Sequence, residues 1–176
     1  MELWDLYDRD RVKLGRTASR SERDNLAEGD SHLTVHAAIF NSEGKMLIQK
    51  RTDNKETWPG LWDITVGGAV VSGEDTRLGI ERELEEELGI VESFKDARPY
   101  LTIHSTHCIC DVYILVRDVD LESLVFQPTE VSAARYATLE EIIKLIGEGE
   151  FLPYRESYIK MLFDLRQGRG THLRKP

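Results

Sequence analysis

Three glutamates, Glu83, Glu86 and Glu87, stand three and four positions apart in the run Arg82-Glu83-Leu84-Glu85-Glu86-Glu87-Leu88. In a helix those intervals bring side chains onto one face. Acids gathered this way repel one another unless a cation lies among them, and hard oxygen ligands suit Mg²⁺ or Mn²⁺. A metal bridged between carboxylates and a diphosphate polarises phosphorus–oxygen bonds, orients the substrate and activates water. Other residues frame the acids: Gly68, then Glu74 six places on, Arg82 beside Glu83, and Gly89-Ile90 at the end. An acidic, solvated helix would explain the charges but neither the two glycines nor Glu74.

The elements around the acids can be read from periodicity. Over residues 76–88, Ile80, Leu84 and Leu88 repeat every four positions and form the inward face of a helix, with Glu81 and Glu85 elsewhere on its surface. Gly89 is its C-terminal cap. Residues 62–71 read as a strand interrupted by Gly67-Gly68. Residues 32–49 read as two strands joined by the turn Asn41-Ser42-Glu43-Gly44-Lys45. A charged loop over 51–58 follows, punctuated by Pro59-Gly60. Strands are expected over 100–104, 108–117 and 131–137. Thr138 and Glu141 then form a capping box, and a last helix spans 154–165 with Tyr158, Met161, Leu162 and Leu165 on its apolar side. Residues 1–31 are polar and mixed, with a strand over 3–8 and a charged run over 16–23; the basic stretch 168–176 is expected to fray. This order of strands and helices suggests an α/β layered domain, with no repeat and no dividing linker.

At 176 residues the chain fits one domain with an adequate core. No apolar run approaches a membrane span, and the first residues lack the basic-then-apolar layout of a signal peptide. A formal net charge of −9 argues against a sequence-independent grip on nucleic acid, which needs a basic surface. Cys108 and Cys110 share one face of a strand, where they are poorly placed for a disulfide, so reduced thiols and a cytoplasmic location are expected. His104 and His107 lie nearby, but the spacing is not that of a zinc site, and ordinary strand residues are the better reading.

The order Gly, five spacers, Glu, seven spacers, Arg-Glu-aliphatic-spacer-Glu-Glu-spacer-Gly-aliphatic resembles the signature of the Nudix (MutT-like) hydrolases at every fixed position. The resemblance implies the Nudix fold, a mixed β-sheet between helices with the signature as loop–helix–loop. That domain would occupy residues 31–176, behind a strand-forming N-terminal extension, 1–30, packed on it. It implies metal binding by Glu83, Glu86 and Glu87, with the backbone carbonyl of Gly68 as a further ligand. Glu83 or Glu86 would assist the attacking water, a role that differs between members. Arg82 and Glu74 would be structural, the arginine orienting carboxylates through its planar fork. Glu130 lies where relatives often supply another ligand or base, with a solvated loop acid as the alternative. Many members are dimers, and the extension is a segment through which a homodimer would pair.

Within residues 32–74, His32-Leu33-Thr34 with Phe40-Asn41, then Gln49-Lys50-Arg51, Lys55 and Trp58-Pro59-Gly60-Leu61-Trp62, resemble the isopentenyl-diphosphate isomerase branch. In that branch the counterparts of Arg51 and Lys55 bind the diphosphate, one as a fork and one as a point charge. The isomerase needs Asn-Ser-x-Cys-x-His-Pro; here Gly67 stands for the cysteine and Ala69 for a metal-binding histidine. His32 matches another such histidine but lacks its partner. The function implied is a metal-dependent Nudix pyrophosphohydrolase acting on a small-molecule diphosphate, with no nucleic-acid polymer or membrane as partner. Nucleoside di- or triphosphates, nucleotide sugars and prenyl diphosphates all qualify. The alternatives are the isomerase and a non-catalytic diphosphate-binding module. Trp58, Trp62 and Tyr100 would either stack a base or pack the core.

Overall fold

Strict alternation makes Ser31–Phe40 (β3) the central strand: Leu33, Val35, Ala37 and Ile39 face one core, Ala38 and Phe40 the other, and all are buried. The computed structural model describes residues 2–172. Before β3 come β1 (Leu3–Tyr7) and β2 (Lys13–Ser19), and after it β4 (Met46–Arg51), β5 (Trp62–Asp63) and β6 (Val66–Ala69). The helix α1 (Thr76–Leu88) follows, then β7 (Leu101–His104), β8 (Cys108–Val116), β9 (Val131–Ala137), α2 (Leu139–Glu148) and α3 (Glu156–Leu165).

The described strands form one mixed sheet. β8 runs parallel to β3 along its length, from His32 opposite Cys108 to Phe40 opposite Val116, while β1 and β6 pair antiparallel on β3. β4 leaves β3 after a single pair, Phe40 opposite Met46, and is held instead by β9 and β5. Ile80, Leu84 and Leu88 of α1 cover one face together with Leu33, Val35 and Ile39. Ile142 and Leu145 of α2 and Ile159, Leu162 and Phe163 of α3 cover the other with Phe40 and Ile48. Helices on both faces bury the parallel pair, as such a pair requires.

α1 has firm ends. The Asp75 carboxylate accepts from the backbone N–H groups of Arg77 and Leu78, and Gly89 closes the helix at φ 69°. A Cβ at Gly89 would meet Val125 Cβ at 2.9 Å, so both the backbone and the packing call for glycine there. Thr138 and Glu141 form the expected capping box of α2.

Two readings of the chain are corrected. The break in 62–71 falls at Ile64-Thr65, and the glycines lie inside β6, opposite His36 and Val35. Thr65 is the reason: fully buried, its Oγ1 accepts from Ile39 N at 2.9 Å and donates to Leu47 O at 2.5 Å, satisfying β3 and β4 where they part. The extension also holds β2 over 13–19, whose bounds are not legible in the sequence, because this edge strand buries only Ala18 and Ser19 and so carries no apolar alternation. α3 begins at Glu156, and Met161 is 42 % exposed rather than on the buried side. In the basic C-terminal stretch, Arg169 donates to the carbonyls of Arg98 and Pro99 and lies over the Tyr100 ring. Residues 173–176 lie outside the described residues.

Candidate active site

β6 and α1 bring the glycine and the acids together. A cleft of about 410 Å³ opens between the N-terminal segment, the 52–61 loop and α1, and Gly68, Glu83, Glu86, Glu87, Glu130, Arg51 and Lys55 all line it. That volume lies in the range of small-molecule sites.

Glu83 and Glu87 are buried at 9 % and 7 % exposure, whereas Glu86 faces solvent. The Glu83 carboxyl rests directly on Gly68: a Cβ added there would lie 2.2 Å from the carboxyl carbon. Arg82 ties the group together, donating to Glu74 through Nε at 3.1 Å, to Glu83 and Glu86 through Nη1 at 2.9 and 3.2 Å, and to Ala69 O through Nη2 at 2.9 Å. The Glu87 carboxylate accepts from Gln49 Nε2 at 2.7 Å. Burial pushes Glu83 up to about 7, against the pull of Arg82, with Glu86 adding to the rise. Burial and then the charge of Glu83 push Glu87 up to about 8, against the Gln49 hydrogen bond. These acids are costly to ionise by themselves, and a bound cation would relieve that cost.

Among the described residues, no three side chains of His, Cys, Asp or Glu converge into a ready-made cage. Buried acids that are unfavourable to ionise by themselves suit a hard divalent cation, of a kind that takes one or two carboxylates alongside waters and substrate phosphates. Glu83, Glu86, Glu87 and the Gly68 carbonyl are the groups that would hold it. Gly68→Ala tests the arrangement. The new methyl must displace the Glu83 carboxyl, and a shift of about 1 Å at a reacting site costs roughly 10²-fold in rate. Steady-state kinetics should show that loss with a thermal midpoint close to the parent's; an unchanged rate would remove Glu83 from the site.

The two expected phosphate-binding cations are engaged with protein. Arg51 donates to Trp58 O at 3.2 Å, to Thr57 O at 3.0 Å and to Asp63 Oδ2 at 3.5 Å, bracing the loop from below. Trp58, held at φ 53°, is half-exposed at the cleft. Lys55 is ion-paired with Glu130. Asp63 is buried, its carboxyl pushed up to about 6 by burial against the pull of Arg51 and of the Tyr154 hydroxyl, which donates to it at 2.9 Å. Trp62 and Tyr100 pack against the α2–α3 core, whereas Trp58 reaches the cleft.

His32, 3 % exposed, stacks on Trp4 with ring centroids 4.2 Å apart, and burial lowers it to about 4, so it is neutral. At Gly67, a Cβ would sit 3.2 Å from His36 Cδ2, so the imidazole crowds the place the isomerase cysteine would need. Sequence reasoning missed Gln49, Asp63, Glu2, Arg20 and Arg23. Gln49 stood in the stretch that resembles the isomerase branch, and its local signal was an amide closing the apolar run Met46-Leu47-Ile48, but neither gave it a role. Glu2, Arg20 and Arg23 reach the cleft from the N-terminal segment, where nothing local distinguishes them from surface charge.

The sequence model of the NUDIX domain matches residues 30–157. The chain belongs to the Nudix hydrolase family. An uncharacterized Nudix hydrolase of Listeria monocytogenes is 39 % identical over 98 % of this chain and 99 % of its own length. The crystal structure of DR0079 from Deinococcus radiodurans superposes with a TM-score of 0.71 at 27 % identity, covering 92 % of this chain and 97 % of that one. The likeness to the isomerase branch is more remote: the isopentenyl-diphosphate Δ-isomerase of Clavibacter michiganensis is 27 % identical over 75 % of this chain and 72 % of its own. This Nudix hydrolase therefore shares part of an isomerase-like sequence while carrying the full hydrolase signature.

Proposed function

We propose that this Nudix hydrolase cleaves a diphosphate linkage in a small molecule, a nucleoside di- or triphosphate or a related diphosphate, with Mg²⁺ or Mn²⁺ as cofactor. The observation that carries the reading is the pair of buried acids raised by that burial: Glu83, which rests on Gly68 and accepts from Arg82, and Glu87, which accepts from Gln49. When bound, the cation polarises the phosphorus–oxygen bonds and offsets the charge of the diphosphate. Glu83, Glu86 and Glu87, with the Gly68 carbonyl, would hold it, and Gln49 keeps Glu87 oriented. Glu86, exposed and held by Arg82 through Oε2, is the acid that takes the proton of the attacking water. As water oxygen bonds to phosphorus, the bridging oxygen leaves with the bond electrons. A substrate phosphate draws Lys55 from Glu130, which frees that acid as a second proton acceptor. The free thiols Cys108 and Cys110 support a reducing cytoplasm.

The test is phosphate release from nucleotides, nucleotide sugars and prenyl diphosphates, with Mg²⁺ or Mn²⁺ and with chelator. Metal-dependent turnover of one class is expected. Silence across the panel from a folded sample that binds metal would favour a diphosphate-binding module. Isomerase activity is not expected, since Gly67 has no side chain with which to move a proton.

A further inference from the structure

Five cations line the main cleft: Arg20, Arg23, Arg51, Lys55 and Arg82. Three are committed to protein partners, Arg51 to the loop carbonyls and Asp63, Lys55 to Glu130, and Arg82 to Glu74, Glu83 and Glu86. Among the described residues, Arg20 and Arg23 make no side-chain hydrogen bond or ion pair. Both sit on the short 3-10 segment Arg20–Asn25 between β2 and β3. That segment is pinned at its start, and the strand before it is tied to the loop after it. Glu22 accepts from Ser19 N and Oγ, both at 2.7 Å, and Arg16 grips Asp30 through two bonds of 2.6 Å. The two guanidinium groups are thus presented by a fixed turn that buries neither of them.

Behind Arg23 the cleft adjoins a second cavity of about 230 Å³, which shares Arg23, His32 and Cys108 with it. Its far wall is the β7–β8 turn, with Ser105, Thr106 and His107, and Asp24 is the one carboxylate on its lining. The Thr106 hydroxyl has no partner among the described residues. His32 stands at the junction, and its Nδ1 is a buried polar atom without a hydrogen-bond partner. An acidic protein has here gathered an uncommitted cation, an open hydroxyl and an unsatisfied imidazole around a space large enough for one tetrahedral anion, with the uncommitted Arg20 on the adjoining cleft.

We propose that this annex is a phosphate-binding subsite, built by Arg23, His32 and Thr106 with Arg20 on the adjoining wall of the main cleft, that receives a phosphate group carried on the substrate away from the scissile diphosphate. The annex depends on the hydrolase reading only for its link to the substrate; the binding of phosphate does not. Guanidinium groups recognise phosphate oxygens through charge-assisted bonds, the strong class of hydrogen bond. A substrate spanning both spaces would be held at one end by the acids and at the other by the N-terminal segment, which would select against diphosphates that lack the second phosphate.

The experiment is calorimetric titration of the full chain, in chelator, with inorganic phosphate and with a nucleoside 5′-monophosphate. Saturable binding of both is expected, the nucleotide tighter because its body continues into the main cleft. Arg20→Gln with Arg23→Gln should weaken both ligands by roughly tenfold or more, with an unchanged thermal melt because neither side chain is buried. Thr106→Val should weaken them by severalfold without altering charge. Absence of binding to the parent, or equal affinity in the arginine variant, would overturn the proposal. Without metal no turnover is measured, so neither outcome depends on whether the hydrolase reading stands.

Discussion

Glu87→Gln is expected to lower kcat by roughly 10³-fold at saturating Mg²⁺, and Glu86→Gln by a similar factor, with the fold of each variant intact. Glu87 is a buried acid whose charge is unfavourable in the folded protein without a cation. Glutamine has the same shape and no charge to bury, so Glu87→Gln should melt no lower than the parent. The loss therefore reports the missing charge rather than a damaged core. Glu86 is exposed and contributes little to packing, so its variant isolates the proton acceptor. Single-turnover rates on the substrate found by the panel, together with metal titration, separate the two: the loss in Glu87→Gln should follow its weakened metal binding, whereas Glu86→Gln should slow the chemical step beyond any loss of metal affinity, even at saturating metal. Full rate in both variants would remove the acids from the chemistry, and a loss confined to affinity would point to a binding module.

The second large effect is on stability. Asp111 is 1 % exposed on β8 and accepts four hydrogen bonds. They come from Arg11 Nη1 at 2.9 Å and Thr102 Oγ1 at 2.7 Å on one oxygen, and from Arg11 Nη2 at 2.5 Å and Thr76 Oγ1 at 2.7 Å on the other. One carboxylate thereby joins the β1–β2 turn, the edge strand β7 and the first residue of α1. Asp111→Ala should destabilise the chain by about 3 kcal/mol, chiefly by leaving buried donors unpaired. Arg11 is partly exposed and recovers water; Thr76 is buried and retains only Tyr113 Oη at 2.9 Å. Burial raises the Asp111 carboxyl, but its hydrogen bonds with Arg11, Thr76 and Thr102 outweigh that and leave it below the ordinary 3.8. The contribution is therefore complete above 3.8 and is lost as pH falls through the lower folded value. Denaturant melts from pH 7 downward should show the gap between parent and variant closing only in strong acid. A gap under about 1 kcal/mol at pH 7 would show that the network is not the tie described.

Legibility in the sequence followed burial. β3, β4, β8 and α1 carry their apolar residues at the period of their geometry, so they could be read directly, and Gly89 and Thr138 announced the helix ends. β2 gave no such signal because it lies at a sheet edge with most of its side chains in water. Gly67 and Gly68 read as a break, but each is small because a side chain from another element, His36 or Glu83, lies over it. That is a tertiary fact with no local trace. The site divides the same way. The acids of α1 were visible because one helix turn repeats them. Gln49, Asp63, Arg20 and Arg23 join them only through strand pairing and the docking of the first thirty residues. Arg51 shows the limit of likeness: the resemblance gave it a diphosphate to bind, whereas the bonds that brace the loop depend on where Thr57 and Trp58 turn.

The parallel ladder between β3 and β8 also governs when this chain acquires its site during synthesis. A nascent chain that has emerged through Ile90 already contains every fixed residue of the signature, yet the partner that runs the length of β3 begins only at Cys108. Pairing across so long a loop is entropically expensive and slow, and it leaves β3 with an open hydrogen-bonding edge in the interval. The 105–108 wall of the annex, Glu130 and the Asp111 tie to α1 all arrive with or after that strand. A fragment ending before Val116 would therefore carry the whole signature without a working cleft, and its exposed strand would favour self-association over catalysis.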